Sequence, residues 1–232
     1  MIVPGGAITQ VKANIEAIKL LKQLEDHYQN ATADQQKILA QYTGWGNLSQ
    51  VFHEGYGRAM EAYENNEAEY KWKWGRDENW EKKWGKYYKQ LKELLTEQEF
   101  NAAAASTLNA HYTARGVIES MWKMAEKLGF KGGTVLEPGA GIGHFFGLMP
   151  SSIRGNSNLI GIELDSISGR ILSKLYPNAK TFVKGFEEVN LPPNSVDLVI
   201  SNYPFAQEGP ADAKKRYGQN LNLHNYFFAK SL

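Results

Sequence analysis

Two short stretches hold residues whose types and spacing could do chemistry. One is Leu136-Glu137-Pro138-Gly139-Ala140-Gly141-Ile142-Gly143; the other, later in the chain, is Ser201-Asn202-Tyr203-Pro204-Phe205. Glycines at alternate positions let a backbone bend sharply and approach a ligand with no side chain in the way. Glu137, just ahead of them, could hold the ammonium of a cofactor that bears an amino acid. A tight strand-to-helix turn would call for the same glycines. The second stretch suits a planar amino group. An aromatic amine is a poor nucleophile because its lone pair is delocalised into the ring. Accepting both amino hydrogens localises that pair, and the Asn202 side-chain oxygen and the Tyr203 backbone carbonyl could take one each. Pro204 stiffens the turn and removes a competing donor. Phe205 offers a flat face, and stacking on it is worth about 1–3 kcal/mol. The remaining task is placement rather than strong base catalysis.

Two further positions belong with these. Glu163 ends a second apolar run, where an acidic residue accepts hydrogen bonds from ribose hydroxyls. That role serves a nicotinamide dinucleotide as well as other nucleoside cofactors. Asp165 reads as a helix cap. Phe186, after a third apolar run, could cover an adenine face or lie in the core beneath its loop.

Elements must position these residues, and the two halves of the chain read differently. Up to residue 110 the pattern is helical. Ile15, Ile18, Leu20, Leu21 and Leu24 recur at helix spacing. Thr32 with Gln35 and Thr96 with Glu99 are capping boxes. Gly44 and Gly46 mark a turn, and Trp80, Trp84, Tyr87, Leu91 and Leu94 form a stripe on a later helix. From residue 111 the chain alternates. Thr113 can cap a helix carrying Val117, Ile118, Met121, Trp122 and Ala125. Strands are expected over 134–136, 159–162, 181–183 and 196–200, with helices at about 144–148 and 166–175. This alternation is that of an α/β fold with a doubly wound parallel sheet, whose ligands bind at the carboxyl ends of the strands. The expected division is 1–110 and 111–232. Residues 225–232 open a helix with an apolar face. A sheet ending there would be incomplete, with its fourth strand as an edge, so the expectation is a piece of a longer protein or a partner that completes the sheet.

Composition adds bounds. There are 26 Lys and Arg against 25 Asp and Glu, so no global field marks a nucleic-acid partner, though one basic groove can hide in a neutral total. The absence of cysteine excludes disulfides and thiolate metal sites and fits a reducing cytoplasm. No basic, apolar leader opens the chain, and no stretch reaches membrane-spanning length. The five histidines are scattered, so no metal site is expected, and His111 and His144 read as loop or cap residues. Residues 71–92 hold eight Lys or Arg and three Asp or Glu among Trp72, Trp74, Trp80, Trp84, Tyr87 and Tyr88. That mixture suits a surface that tracks a nucleic-acid strand. The favoured reading is an amphipathic helix whose Trp80–Trp84–Tyr87–Leu91 stripe packs while its lysines are solvated; Trp72 and Trp74 are the better contact candidates.

The chemical stretches resemble the class I S-adenosylmethionine-dependent amino-methyltransferases. Their adenine-N6 members carry an Asn/Asp/Ser-Pro-Pro-Tyr/Phe tetrad. Asn202-Tyr203-Pro204-Phe205 matches it at three positions, with Tyr203 where the first proline is usual. Residues 137–143 are similar to the family's cofactor loop, Glu163 to its ribose-binding acid, and His111-Tyr112-Thr113 to the segment that folds over the methionine end. The acid often found after the third strand is absent, and Gly185 stands near its place. The resemblance covers about residues 107–232. It implies a Rossmann-like sheet, S-adenosyl-L-methionine as cofactor and the adenine N6 of DNA as target, flipped from the duplex. Asn202, Tyr203, Pro204 and Phe205 would be catalytic. Tyr112, Thr113, Glu137, Pro138, Gly139, Gly141, Gly143, Glu163 and Phe186 would bind the cofactor. More narrowly, Gly44-Trp45-Gly46, residues 106–113 and Gly185-Phe186-Glu187 look similar to the large methylase–helicase proteins of phages and conjugative elements. That implies a helicase or further methylase region in the same longer protein. Two alternatives stay open: methylation of glutamine amides in proteins, and a non-catalytic methylase-like module for DNA binding or assembly. A nicotinamide-dependent oxidoreductase has no use for Asn202-Tyr203-Pro204-Phe205.

Overall fold

Four parallel strands set the frame for the chemical stretches: β1 (Gly133–Pro138), β2 (Ser157–Glu163), β3 (Lys180–Val183) and β4 (Leu198–Val199), in the order β3-β2-β1-β4. A computed structural model describes residues 5–52, 80–107, 112–205 and 209–232. Reversal of strand order about β1 is the doubly wound arrangement the alternation predicts. β1 pairs with β2 from Gly133↔Ser157 to Pro138↔Ile162, so their carboxyl ends finish together. β4 is shorter than the apolar run suggests. Its backbone pairing nevertheless extends from Asp197 N to Thr134 O (2.9 Å) and from Ile200 N to Leu136 O (3.0 Å).

Side chains alternate across a strand, and the sheet has a core on each face. Val135 and Ile200 join Ile118, Trp122, Phe145, Phe146 and Leu172 on one side. Leu136, Ile160 and Ile162 join Phe186, Tyr226 and Phe227 on the other. The helices on the first face are α5 (Arg115–Lys127), α6 (His144–Gly147), α7 (Ser151–Arg154) and α8 (Ser166–Leu175). Those on the second are α9 (Asp212–Tyr217) and α10 (Leu223–Ser231). α5 buries Ile118, Trp122 and Ala125, while Val117 is half exposed. Thr113 does not cap this helix: Ala114 is its N-cap and supplies no side-chain bond. Thr113 lies one residue too early, because the first turn closes from Val117 N and Ile118 N onto Ala114 O.

The earlier helices are α1 (Ala7–Asp26), α2 (Ala33–Leu39), α3 (Lys86–Leu94) and α4 (Glu97–Ser106), with a π-helical turn at Glu81–Gly85 before α3. Both capping boxes form, Thr32 with Gln35 and Thr96 with Glu99. The chain divides into two compact units. The described parts of Leu20–Ala40 and His111–Leu232 make one, and those of Ile2–Lys19 and Gln41–Ala110 the other. The sheet unit thus takes in residues 20–40, which the sequence pattern groups with the helical region. Long-range bonds explain it: Gln36 Nε2 donates to Lys174 O and Leu175 O (3.3 Å each), Lys174 Nζ donates to Gln29 O (2.6 Å), and Arg170 pairs with Glu25 (2.9 Å).

In the helical unit, buried Asn14 bridges the glycine turn, donating to Gly44 O (2.6 Å) and accepting from Thr43 N (2.8 Å). Trp45, Phe52, Phe100, Tyr88 and Trp80 then run in edge-to-face contacts of 4.9–5.8 Å. Trp80, Trp84, Tyr87 and Leu91 are buried. Lys83 lies over Trp84 and Lys86 over Tyr87. For residues 80–92 the stripe is therefore a packed face with a cationic rim. Trp72 and Trp74 lie outside the described residues.

Candidate functional site

The glycine turn is anchored to both neighbouring strands. Gly139 N and Ala140 N donate to Ile162 O at the end of β2 (2.8 and 2.9 Å), and Ser201 Oγ, just beyond β4, donates to Pro138 O (2.7 Å). Gly139, Gly141 and Gly143 all have positive φ (73°, 55° and 82°), a region costly for other residues. Their surroundings differ. A Cβ on Gly139 would meet Pro204 Cδ at 3.6 Å, and one on Gly141 would meet the Tyr112 ring at 3.1 Å. A Cβ on Gly143 would run into Leu172 and Tyr176 at 2.5–2.6 Å. Gly139 and Gly141 therefore face other site residues, whereas Gly143 faces the packing of α8.

Glu137 is 2% exposed, on the same face as Val135. Its Oε2 is buried with no hydrogen-bond partner, while the backbone N–H groups of Phe145 and Phe146 at the start of α6 favour its charged form. Burial, and then the neighbouring Glu163, hold its carboxyl well above the usual range. The short α6 is fixed by Trp122 Nε1 to Phe145 O (2.9 Å) and by Arg154 Nη2 to Phe146 O and Gly147 O (3.2 and 3.0 Å). An unspent, buried acceptor at the foot of a glycine turn is what an incoming ammonium needs, and binding it would restore the charge that burial opposes.

Glu163 spends an oxygen on each side: Oε2 accepts from Gly141 N (2.6 Å) and Oε1 from Asp165 N (2.7 Å). Burial lifts it to about 7. Each oxygen keeps a lone pair for a hydroxyl. Asp165 caps α8, accepting from Ser168 N (2.8 Å). Tyr112 lies along the turn, with its ring 4.9 Å from that of His144. Burial pushes the Tyr112 phenol upward and lowers His144 to about 4, so this imidazole is neutral at pH 7. His144 opens α6, and its Nε2 is buried without a partner.

The tetrad follows β4 and stands against the same turn. Asn202 is exposed and Phe205 is 72% exposed. Tyr203 turns its side chain onto α10, 5.5 Å from Phe227 and 5.1 Å from Phe228 between ring centres, and its hydroxyl donates to Ser231 Oγ (3.1 Å). Phe186 is 4% exposed within the second core cluster, 5.1 Å from Phe227. Of the two places open to it, the structure gives the core one, and it offers no face to an adenine. Glu137, Pro138, Gly139, Gly141, Glu163, Tyr112, Ser201 and Pro204 are thus tied to one turn. Thr113 is half-buried beside Tyr112, ahead of α5. His111 lies outside the described residues. The bond of Ser201 to Pro138 and the contact of His224 with Phe205 are not signalled by sequence spacing. Among the described residues no group of three His, Asp or Glu could hold a metal ion, and no helix is long and apolar enough to cross a membrane.

Comparison with known proteins gives these likenesses. No family model matches the chain. Over 146 residues it is 26% identical to the Defense against restriction protein B of Escherichia phage P1, covering 62% of this chain and 6% of that protein. The chain thus spans a small part of that relative's length. Among solved structures it is similar to a type I restriction-modification methyltransferase subunit from Streptococcus thermophilus, at 16% identity and a TM-score of 0.43, covering 94% of this chain and 51% of that one. It is also similar to a putative class I S-adenosylmethionine-dependent methyltransferase from Listeria monocytogenes, at 14% and 0.42, covering 94% and 69%. A putative RNA methyltransferase from Pyrococcus horikoshii gives 22% and 0.36, covering 52% and 56%.

Proposed function

We propose that this chain is an S-adenosylmethionine-dependent N-methyltransferase domain acting on the adenine N6 amino group of DNA. The observation that carries the reading is the meeting of the two chemical stretches. Ser201 bonds Pro138 at 2.7 Å, and Pro204 lies beside Gly139, so the amino-gripping tetrad stands on the rim of the glycine turn. The phage relative is named for defence against restriction, which agrees with DNA as the polymer.

In this reading Glu137 Oε2 takes the cofactor's ammonium and Glu163 its ribose hydroxyls, with Tyr112 and Thr113 closing over the amino-acid end. Gly139 and Gly141 keep the approach clear. The cofactor, when bound, supplies an electrophilic methyl group on a sulfonium. Asn202 Oδ1 and the Tyr203 carbonyl accept the two amino hydrogens of the target and localise its lone pair. Phe205 stacks on the base and holds it in line. Tyr203 differs from the usual proline without harm to this scheme, because its carbonyl does the accepting while its ring fastens the tetrad to α10.

Asn202→Ala is expected to lower methyl transfer to unmethylated DNA roughly a hundred- to a thousandfold, the effect of removing one preplaced hydrogen-bonding group. Calorimetric affinity for S-adenosylmethionine should stay within about twofold, since Asn202 faces the target. Full activity in this variant refutes the mechanism. Label entering protein instead of DNA favours the glutamine-amide alternative, and no cofactor binding by the wild-type chain favours the non-catalytic module.

A further inference from the structure

The second aromatic residue of the tetrad, like Tyr203, rests on α10. Phe205 meets His224 with ring centres 5.6 Å apart and planes tilted by 45°. His224 sits in the first turn of α10, whose N-cap Asn222 accepts from Asn225 N (3.1 Å). The Nδ1 of His224 is buried and has no hydrogen-bond partner. A buried polar atom left unpaired is costly, so it calls for a reason. Here the ring packs against Phe205, and its unspent nitrogen belongs to a side chain in contact with the residue on which a target would stack.

Resting on the amino-methylation reading, we propose that His224 is a target-recognition residue whose Nδ1–H donates a hydrogen bond to N7 of the adenine. Asn202 and the Tyr203 carbonyl grip an amino group, and cytosine has one too. On one flank of that amino group both bases carry a ring-nitrogen acceptor. On the other flank adenine presents N7, and cytosine presents a C–H. A donor on this second flank therefore distinguishes the two bases and also fixes the rotation of adenine on Phe205. Phe205 with His224 then forms an adenine-specific wall, with α10 as its scaffold.

The test uses the full chain and DNA made by polymerase extension with either adenine or 7-deazaadenine, which lacks the N7 acceptor. Wild type should lose roughly tenfold in kcat/KM on the 7-deaza DNA, chiefly through KM. His224→Phe, which keeps the ring brace, should lose about tenfold on ordinary DNA and nothing more on 7-deaza DNA. His224→Asn, with an amide donor near the place of Nδ1, should recover most of the loss. All variants should bind S-adenosylmethionine in calorimetry as wild type does. His224→Phe acting like wild type on ordinary DNA overturns the inference, as does wild-type indifference to 7-deazaadenine or loss of cofactor binding in His224→Phe. If Asn202→Ala is inactive while His224→Phe is unaffected, this inference alone falls. If wild type methylates no DNA, the proposed function falls with it.

Discussion

Asn14 and Glu137 are both fully buried polar side chains, one in each unit, and they are treated in opposite ways. Asn14 spends both ends of its amide, donating to Gly44 O and accepting from the backbone N–H and hydroxyl of Thr43. Glu137 keeps a buried carboxylate oxygen with nothing to bond. The first is an internal strut that makes its turn one shape. The second holds back bonding capacity, at an energetic cost, in the place where two chemical stretches meet. An orphaned atom is not a site by itself, since Trp45 Nε1 also lacks a partner. Glu137 differs in being ionisable and in standing beside Glu163 and the glycine turn.

Substitutions can break or sharpen this contrast. The largest effect is expected from Asn14→Leu, which leaves Gly44 O and Thr43 N unpaired and should cost about 3 kcal/mol in a denaturant titration. A cost below about 1 kcal/mol would deny Asn14 its structural role. Glu137→Gln keeps the side-chain shape and an acceptor oxygen but cannot form an ion pair with an ammonium. Cofactor affinity should fall about a hundredfold in calorimetry, with stability changed by less than about 1 kcal/mol. A large stability loss with unchanged affinity would make Glu137 a strut like Asn14.

Protonation gives a smaller, signed effect. Glu163 is raised by burial from 4.5 to about 7, so the folded chain holds an extra proton in that window, and its contribution to stability falls as pH rises from 4.5 to 7. His144 is lowered by burial from 6.5 to about 4, so the unfolded chain holds the extra proton, and stability rises with pH from 4 to 6.5. Glu163→Gln should therefore steepen the rise of Tm with pH between 4.5 and 7, and His144→Phe should flatten it between 4 and 6.5. Melting curves across pH 4–7.5 in which neither slope changes would contradict both assignments. Thr96→Ala sets the scale for an exposed, satisfied cap, with an expected loss of about 1 kcal/mol and no change in cofactor affinity.

Local features were legible in the sequence because they are governed locally. Apolar runs located all four strands, and both capping boxes followed from residues three apart. The meeting of Asn202-Tyr203-Pro204-Phe205 with the glycine turn followed from the rule that such sheets gather their strand ends. What escaped depends on distance along the chain. Gln36 and Lys174 are 138 residues apart, and nothing near either one announces their bond. The demand for glycine at 143 comes from Leu172 and Tyr176, not from its own turn alone. Phe186 could not be assigned without α10, whose Phe227 and Lys230 enclose its ring. His224 had no signal at all, because its meaning lies in what Phe205 rests on.

α1 belongs to both units, passing from one to the other between Lys19 and Leu20 without interruption of the helix. The chain crosses between units again after Ala40 and after Ala110. A cut at residue 110 is therefore not a clean excision. It would strip the sheet unit of residues 20–40 and leave α8 without the partners of Lys174 and Arg170. A working excision of the sheet unit has to carry residues 20–40 with it.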